Sequence, residues 1–265
     1  MPDQTKYTTK LANARILIIG GSSGIGYGLA EASIEHNALV TIASSSPSRV
    51  AAAVSKLRAA YPSKASNIHG LTADLSNPQT LESALDTLFA DTAAHYPGAQ
   101  IDHVVFTAGD ALRTMPLAGM SMANVLAAGQ LRFFAPLLAA KCVARYLPAS
   151  PRSSYTITTG GISERPVREW SVVAAYAGGL HSMVRNLALD LAPVRVNGVS
   201  PGAVDTELWR LGESEKREFF EEVGAKMTTG CVGRVEDVVE TFLGVLRDGN
   251  MSGSVVRTDG GRFLM

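Results

Sequence analysis

The sequence predicts an α/β fold: a doubly wound, seven-stranded parallel sheet flanked by helices on both faces. Three observations predict it. Short apolar runs alternate with longer amphipathic stretches along the whole chain. The first apolar run leads directly into the glycine-rich segment Gly20-Gly21-Ser22-Ser23-Gly24-Ile25-Gly26. No repeat, low-complexity segment or long linker breaks the alternation, so residues 1–265 read as one domain with a substantial core.

The elements follow in order. The apolar run at residues 15–20 is the first strand, and the helix at 25–36 follows its glycine loop. A strand at 39–43 precedes a helix at 47–60, which Pro47 opens behind a cluster of serines. A strand at 67–72 precedes a helix at 78–94, again opened by a proline. A strand at 101–107 precedes a long helix at 122–146, and a strand at 154–159 precedes a second long helix at 170–192. The last strands, 194–199 and 254–257, enclose helices at 213–225 and 235–247. The polar start, residues 1–10, is expected to fray.

Composition excludes several classes. With a formal net charge of zero, the chain has no basic excess for nucleic-acid binding. No apolar run is read as long enough to span a membrane, and no charged-then-apolar leader is present. Cys142 and Cys231 share no short spacing, so neither a disulfide framework nor a metal site is expected. Free thiols suit a reducing, cytoplasmic compartment.

The glycine loop carries the first chemistry. Between a buried strand and a helix, Gly20, Ser22, Ser23, Gly24, Ile25 and Gly26 permit a tight turn and close approach of a pyrophosphate. The helix N-terminus then offers free N–H groups and a favourable dipole to that phosphate. About 20 residues past such a loop, NAD-binding proteins carry a carboxylate for the ribose hydroxyls. This chain instead has Ser44-Ser45-Ser46-Pro47-Ser48-Arg49. Three hydroxyls and Arg49 suit a 2′-phosphate, so the expected cofactor is NADP(H). The serines also read as the N-cap of the next helix.

The order of motifs resembles the classical short-chain dehydrogenase/reductase family, whose fold is Rossmann-type, across nearly the whole chain. Gly20-x-x-x-Gly24-Ile25-Gly26 matches its cofactor loop, with Ile19 where threonine is usual. Phe106-Thr107-Ala108-Gly109 stands where the family has Asn-Asn-Ala-Gly. Leu189-Asp190-Leu191-Ala192-Pro193, Ser200-Pro201-Gly202-Ala203-Val204-Asp205-Thr206 and Thr258-Asp259-Gly260-Gly261 match later blocks. The resemblance implies that Asp74 and Leu75 meet the adenine and that Ala108 and Gly109 line the cofactor. It implies that Pro201, Gly202, Val204 and Thr206 hold the nicotinamide end.

The family's catalytic Asn, Ser, Tyr and Lys are missing. Aligning back from Leu189 places Val173 at the tyrosine, Ala177 at the lysine and Gly160 at the serine. Arg132, in Leu131-Arg132-Phe133-Phe134-Ala135, falls at the asparagine. Tyr176 has no lysine four residues on and reads chiefly as a lining group, with proton donation the lesser reading. Without Tyr and Lys the usual alcohol–ketone proton relay cannot run. An iminium carbon, already electrophilic, needs no such relay. The candidates around it are Arg132 and Glu169 as a polar pair and Trp170 as a stacking wall. Glu169 also reads as a first-turn helix acid, Trp170 as core packing, and Arg132 as a group that polarises a carbonyl. Asp110, Arg113 and Thr159 are further candidates, and His181 is given no role.

These departures resemble a narrower branch: the reductases of fungal prenylated indole alkaloid clusters of the malbrancheamide and paraherquamide type, which also control an intramolecular Diels–Alder reaction. Glu169 stands one methylene longer than that branch's aspartate. The expected function is an NADPH-dependent reductase of a small apolar secondary metabolite, an iminium or activated carbonyl, with coupled cyclisation. The rivals are a redox-neutral cyclase or isomerase using NADP structurally, and a non-catalytic NADP(H)-binding protein. The stretch at about 205–228, with Trp209, Phe219 and Phe220, reads as a substrate lid. The family resemblance implies a homodimer or homotetramer.

Overall fold

The computed structural model describes residues 3–96 and 100–265. Seven parallel strands are hydrogen-bonded in the order β3-β2-β1-β4-β5-β6-β7. They are β1 (Arg15–Ile19), β2 (Leu39–Ser44), β3 (Ile68–Thr72), β4 (His103–Phe106), β5 (Ser154–Thr158), β6 (Arg195–Pro201) and β7 (Val255–Thr258). The strand order reverses between β1 and β4, where Ile19 pairs with Phe106, so the crevice for a ligand opens there, beyond the carboxyl ends of the strands.

Helices α1 (Gly24–Glu35), α2 (Pro47–Ala60) and α8 (Val235–Arg247) cover one face. Their core includes Leu29, Leu57, Val105 and Phe242, all fully buried. Helices α3 (Leu81–His95), α5 (Ala135–Tyr146) and α6 (Ser171–Asp190) cover the other, around Phe89, Val104, Ala139 and Tyr155. Two further helices, α4 (Met122–Gly129) and α7 (Glu213–Gly224), flank the crevice. The central strands are buried on both sides, which accounts for their near-continuous apolar runs.

Three expectations are corrected. The long helix expected at 122–146 is broken by a π turn, Gln130–Phe134, in which Ala135 N bonds back to Gln130 O. Pro136 supplies the reason. It has no N–H for a regular helical bond to Arg132, so the helix widens by one residue and restarts. The third helix begins at Leu81 rather than at residue 78, because Asn77 Oδ1 accepts from Gln79 N in a side-chain-closed turn. The start of the chain is tied down rather than frayed over its described part. Leu11 is buried and Lys10 Nζ donates to Arg247 O; residues 1 and 2 lie outside the described residues.

The whole stretch Met122–Tyr146 is long and apolar enough to cross a membrane by length and composition, contrary to the sequence reading. Part of it builds the core. Ala135, Ala139 and Val143 pack into the core beside the sheet, and Tyr155 on β5 donates its phenol proton to Pro136 O at 2.8 Å. Both cysteines are free thiols, Cys142 buried and Cys231 exposed.

Candidate active site

A cavity of about 850 Å³ runs along the carboxyl ends of the strands, from the glycine loop to the start of α6. At the loop, packing dictates glycine. Gly20 has φ 99°, and a Cβ there would lie 2.4 Å from Ala108 N. A Cβ on Gly26 would lie 2.3 Å from Gly20 O and 2.5 Å from Thr107 Oγ1. Ser23 precedes α1 without making a side-chain capping bond, and the first turn of α1 carries no acid. The first N–H groups of α1 are thus free for an anion. Ser22, Ser23, Gly24 and Ile25 all line the cavity.

At the carboxyl end of β2, Ser44, Ser45 and Arg49 line the cavity, with Arg49 Nη2 donating to Ser45 Oγ at 3.3 Å. Ser46 does not. It stands off the wall as the N-cap of α2, accepting from Arg49 N, and this corrects its expected place in the cofactor site. Asp74 and Leu75 line the next stretch. Asp74 accepts from Ser76 N at 2.9 Å, and its bonds to Ser76 hold its carboxyl below the usual range. Ala108, Gly109, Pro201, Gly202, Val204 and Thr206 complete the wall where the sequence placed them.

The four vacated catalytic positions converge. Gly160, Val173, Ala177 and Arg132 all line the same cavity. The π turn places Arg132 against Gly109, where an added Cβ would meet its guanidinium at 3.0 Å. Its partner is Asp110, not Glu169. Arg132 Nε lies 3.3 Å from Asp110 Oδ1, and Nη2 donates to the Asp110 carbonyl. Asp110 also lies 3.6 Å from Arg113. Burial pulls the Arg132 guanidinium below its ordinary range, and Asp110 opposes that pull. Arg132 Nε is buried without an aligned hydrogen bond, so its contact with Asp110 is ionic.

Glu169 corrects the sequence reading. Its backbone is left-handed (φ 65°), its carbonyl accepts from Met115 N, and its exposed side chain is off the cavity wall. The left-handed turn carries the chain into α6 and points the cavity-facing role to Trp170, which lines the wall as expected. Tyr176 also lines it, but donates its proton to Val125 O at 3.0 Å and packs against Phe133 and Phe134. Thr159 is likewise engaged, donating to Ala177 O. His181 is not an idle surface group: its Nε2 meets Ser163 Oγ at 3.0 Å beside the Gly160 loop.

Sequence reasoning missed several wall residues. Thr158, at the end of β5, has a buried hydroxyl with no partner among the described residues. Glu207, Arg262 and Phe263 also line the cavity. Their one available signal was position, each falling shortly after the carboxyl end of a strand. On the cavity wall, Trp209 donates to Val204 O and packs at a tilt against Phe219 of α7, 4.8 Å between ring centroids.

Comparisons agree with this geometry. A family model described as an SDR-like Rossmann domain matches residues 7–265. The chain is 43% identical over 264 residues to the short-chain dehydrogenase/reductase fsr5 of Gibberella fujikuroi, covering 98% of each chain. It is 38% identical over 258 residues to the short-chain dehydrogenase/reductase malC of Malbranchea aurantiaca, covering 96% of each. The solved structure of the MalC reductase/Diels-Alderase superposes with a TM-score of 0.91, covering 98% of this chain and 100% of that one. The chain therefore belongs to the short-chain dehydrogenase/reductase family of oxidoreductases, in the fungal branch with fsr5 and malC.

Proposed function

We propose that the protein is an NADPH-dependent reductase of a small, apolar secondary metabolite whose electrophile is an iminium or an activated carbonyl. One observation carries the reading. A glycine cradle that no Cβ could enter faces a wall where Gly160, Val173 and Ala177 have replaced the family's proton-handling groups. The residues present fit a nicotinamide dinucleotide. Gly20, Gly24 and Gly26 with the uncapped start of α1 would hold the pyrophosphate, and Asp74 and Leu75 the adenine. Ser44, Ser45 and Arg49, whose guanidinium has no ion-pair partner among the described residues, favour a 2′-phosphate. Pro201, Gly202, Val204 and Thr206 would hold the nicotinamide. When bound, NADPH supplies a hydride.

The chain's own groups then have simple tasks. Asp110 presents a carboxylate to a cationic substrate and is held in place by Arg132 and Arg113. Arg132 presents N–H donors to a substrate oxygen where charge develops. Val173, Ala177 and Trp170 exclude water. Such a wall also suits a coupled intramolecular cyclisation, since holding a reactive conformer requires shape rather than titrating groups. The reductase/Diels-Alderase relative supports that reading. Trp209 and Phe219 support a lid over residues 205–228. Exposed Leu126 and Leu137 on α4 and α5 support a homodimer or homotetramer, and the two free thiols a cytoplasmic setting.

The test is a pair of measurements on the purified protein. NADPH should bind at least about tenfold more tightly than NADH. With the 2-methyl-3,4-dihydroisoquinolinium ion as a cationic imine, NADPH should be consumed. Equal or absent affinity for the two dinucleotides overturns the cofactor assignment. Tight NADPH binding without consumption by imines or aryl aldehydes overturns the reductase reading in favour of a redox-neutral cyclase or a binding protein.

A further inference from the structure

Two arginines on the cavity wall have no role in the reading above. Arg165 follows the Gly160 loop, and Arg262 lies in the turn after β7. Both are half-buried and both line the cavity. They lie together, because Arg165 Nη1 donates to the carbonyl of Arg262.

Neither is neutralised. Among the described residues, no carboxylate lies within ion-pair distance of either guanidinium. Asp259, also on the cavity wall, acts on Arg262 from beyond ion-pair distance. Glu164 pairs with Arg257 at 3.3 Å, and Asp259 Oδ1 accepts from Gly261 N at 3.0 Å. Burial pulls Arg262 below its ordinary range, and the charge of Arg165 pulls the same way, while Asp259 only opposes them. Two like charges beside an apolar cavity oppose folding unless something compensates them.

The turn that carries Arg262 is itself anchored. The ring of Phe263 lies between Gly161, where a Cβ would meet it at 3.4 Å, and the Arg257 guanidinium, 5.0 Å from its centroid. Thr228, just past α7, donates to Gly260 O at 2.9 Å. The end of the lid and the turn carrying Arg262 are therefore joined.

We propose that Arg165 and Arg262 form an anion subsite that binds a carboxylate group on the substrate. This rests on the substrate-cavity assignment made above and names the chemistry of the ligand there. Two planar guanidinium forks suit the two oxygens of a carboxylate, which would complete the charge balance of the wall. The substrate would then span the cavity, with its acid at Arg165 and Arg262 and its electrophile near Asp110 and Arg132.

Binding tests this without turnover. 2-Naphthoate and its neutral counterpart 2-naphthamide are titrated into the full-length protein by calorimetry, with and without NADP⁺. The acid should bind at least about tenfold more tightly than the amide in both conditions. Arg165→Gln and Arg262→Gln should each reduce that preference, and the double variant should abolish it. Arg152→Gln, exposed and off the cavity wall, should keep it, and NADP⁺ affinity should stay within about twofold in every variant. Equal affinity for the two probes, no binding of the acid, or a preference that survives the double substitution overturns the proposal. So does a loss of NADP⁺ affinity in the double variant, which would give the pair to the cofactor. An acid preference that persists while no imine is reduced sinks the reductase reading alone.

Discussion

At the glycine-loop end of the cavity, a single methyl group has nowhere to go, since a Cβ on Gly26 would sit 2.3 Å from Gly20 O. At the opposite end, a Cβ on Gly160 would meet nothing nearer than Pro201 O at 4.0 Å, and the backbone there is extended. Two glycines in one cavity are thus under different constraints. Gly26 is fixed by backbone packing. Gly160 is glycine without steric need among the described residues, so a hydroxyl-bearing side chain would fit there. The cofactor end can change little without losing its shape, whereas the substrate end is free to vary.

The largest expected effect comes from the substrate end. Arg132→Ala should lower kcat/KM by about 10²–10³-fold, the range for losing one preorganised donor at developing charge. Glu169→Gln, off the wall, should leave kcat/KM within about twofold, since exposed charges contribute little. Steady-state kinetics with a reducible imine check both, and a larger loss at Glu169 than at Arg132 would reverse the assignment of the polar pair.

Next is Gly26→Ala, which forces backbone apart and should cost about 1–3 kcal/mol of stability, with weakened dinucleotide binding. Denaturant unfolding and calorimetry measure the two. An unchanged affinity would show that the loop is not the cradle its packing indicates.

A third effect separates the frame from the site. His103 on β4 is fully buried against Ser154 Oγ at 2.8 Å, and burial pushes it down to about 3. The unfolded state, titrating near about 6.5, binds the extra proton first. Stability should therefore fall as pH drops below that value, by up to about 1.4 kcal/mol per pH unit, until the folded group titrates. His103→Gln should flatten the slope seen in urea midpoints. The smallest effect belongs to Gly160→Ser, expected to change stability by less than about 0.5 kcal/mol.

The contrast also explains what the sequence disclosed. The strands and the glycine cradle were legible from local pattern, and strand order and the positions of Asp74, Pro201 and Thr206 through the family resemblance. Val173 and Ala177 were placed on the wall by gapless alignment with the family's block, back from Leu189. The partner of Arg132 was not legible. Asp110 is 22 residues away in the chain, and Arg132 meets it from within the widened turn at Gln130–Phe134, which the sequence did not disclose. Glu169 misled because a left-handed residue before α6 cannot be read from an otherwise ordinary Glu-Trp pair. Arg165 and Arg262 lie 97 residues apart and meet only where β5 and β7 end on one side of the sheet.

The π turn before Pro136 has one more consequence. Each helical residue rotates the chain by about 100°, so the extra residue at Gln130–Phe134 offsets α4 from α5 by roughly that angle. Removing one residue there would rewind the helix and swing the α4 surface, with Arg132, away from the cavity, while Ala139 and Val143 kept their seats in the core. The widened turn is thus a register setting: a single-residue insertion or deletion re-aims the reactive wall and leaves the supporting frame in place.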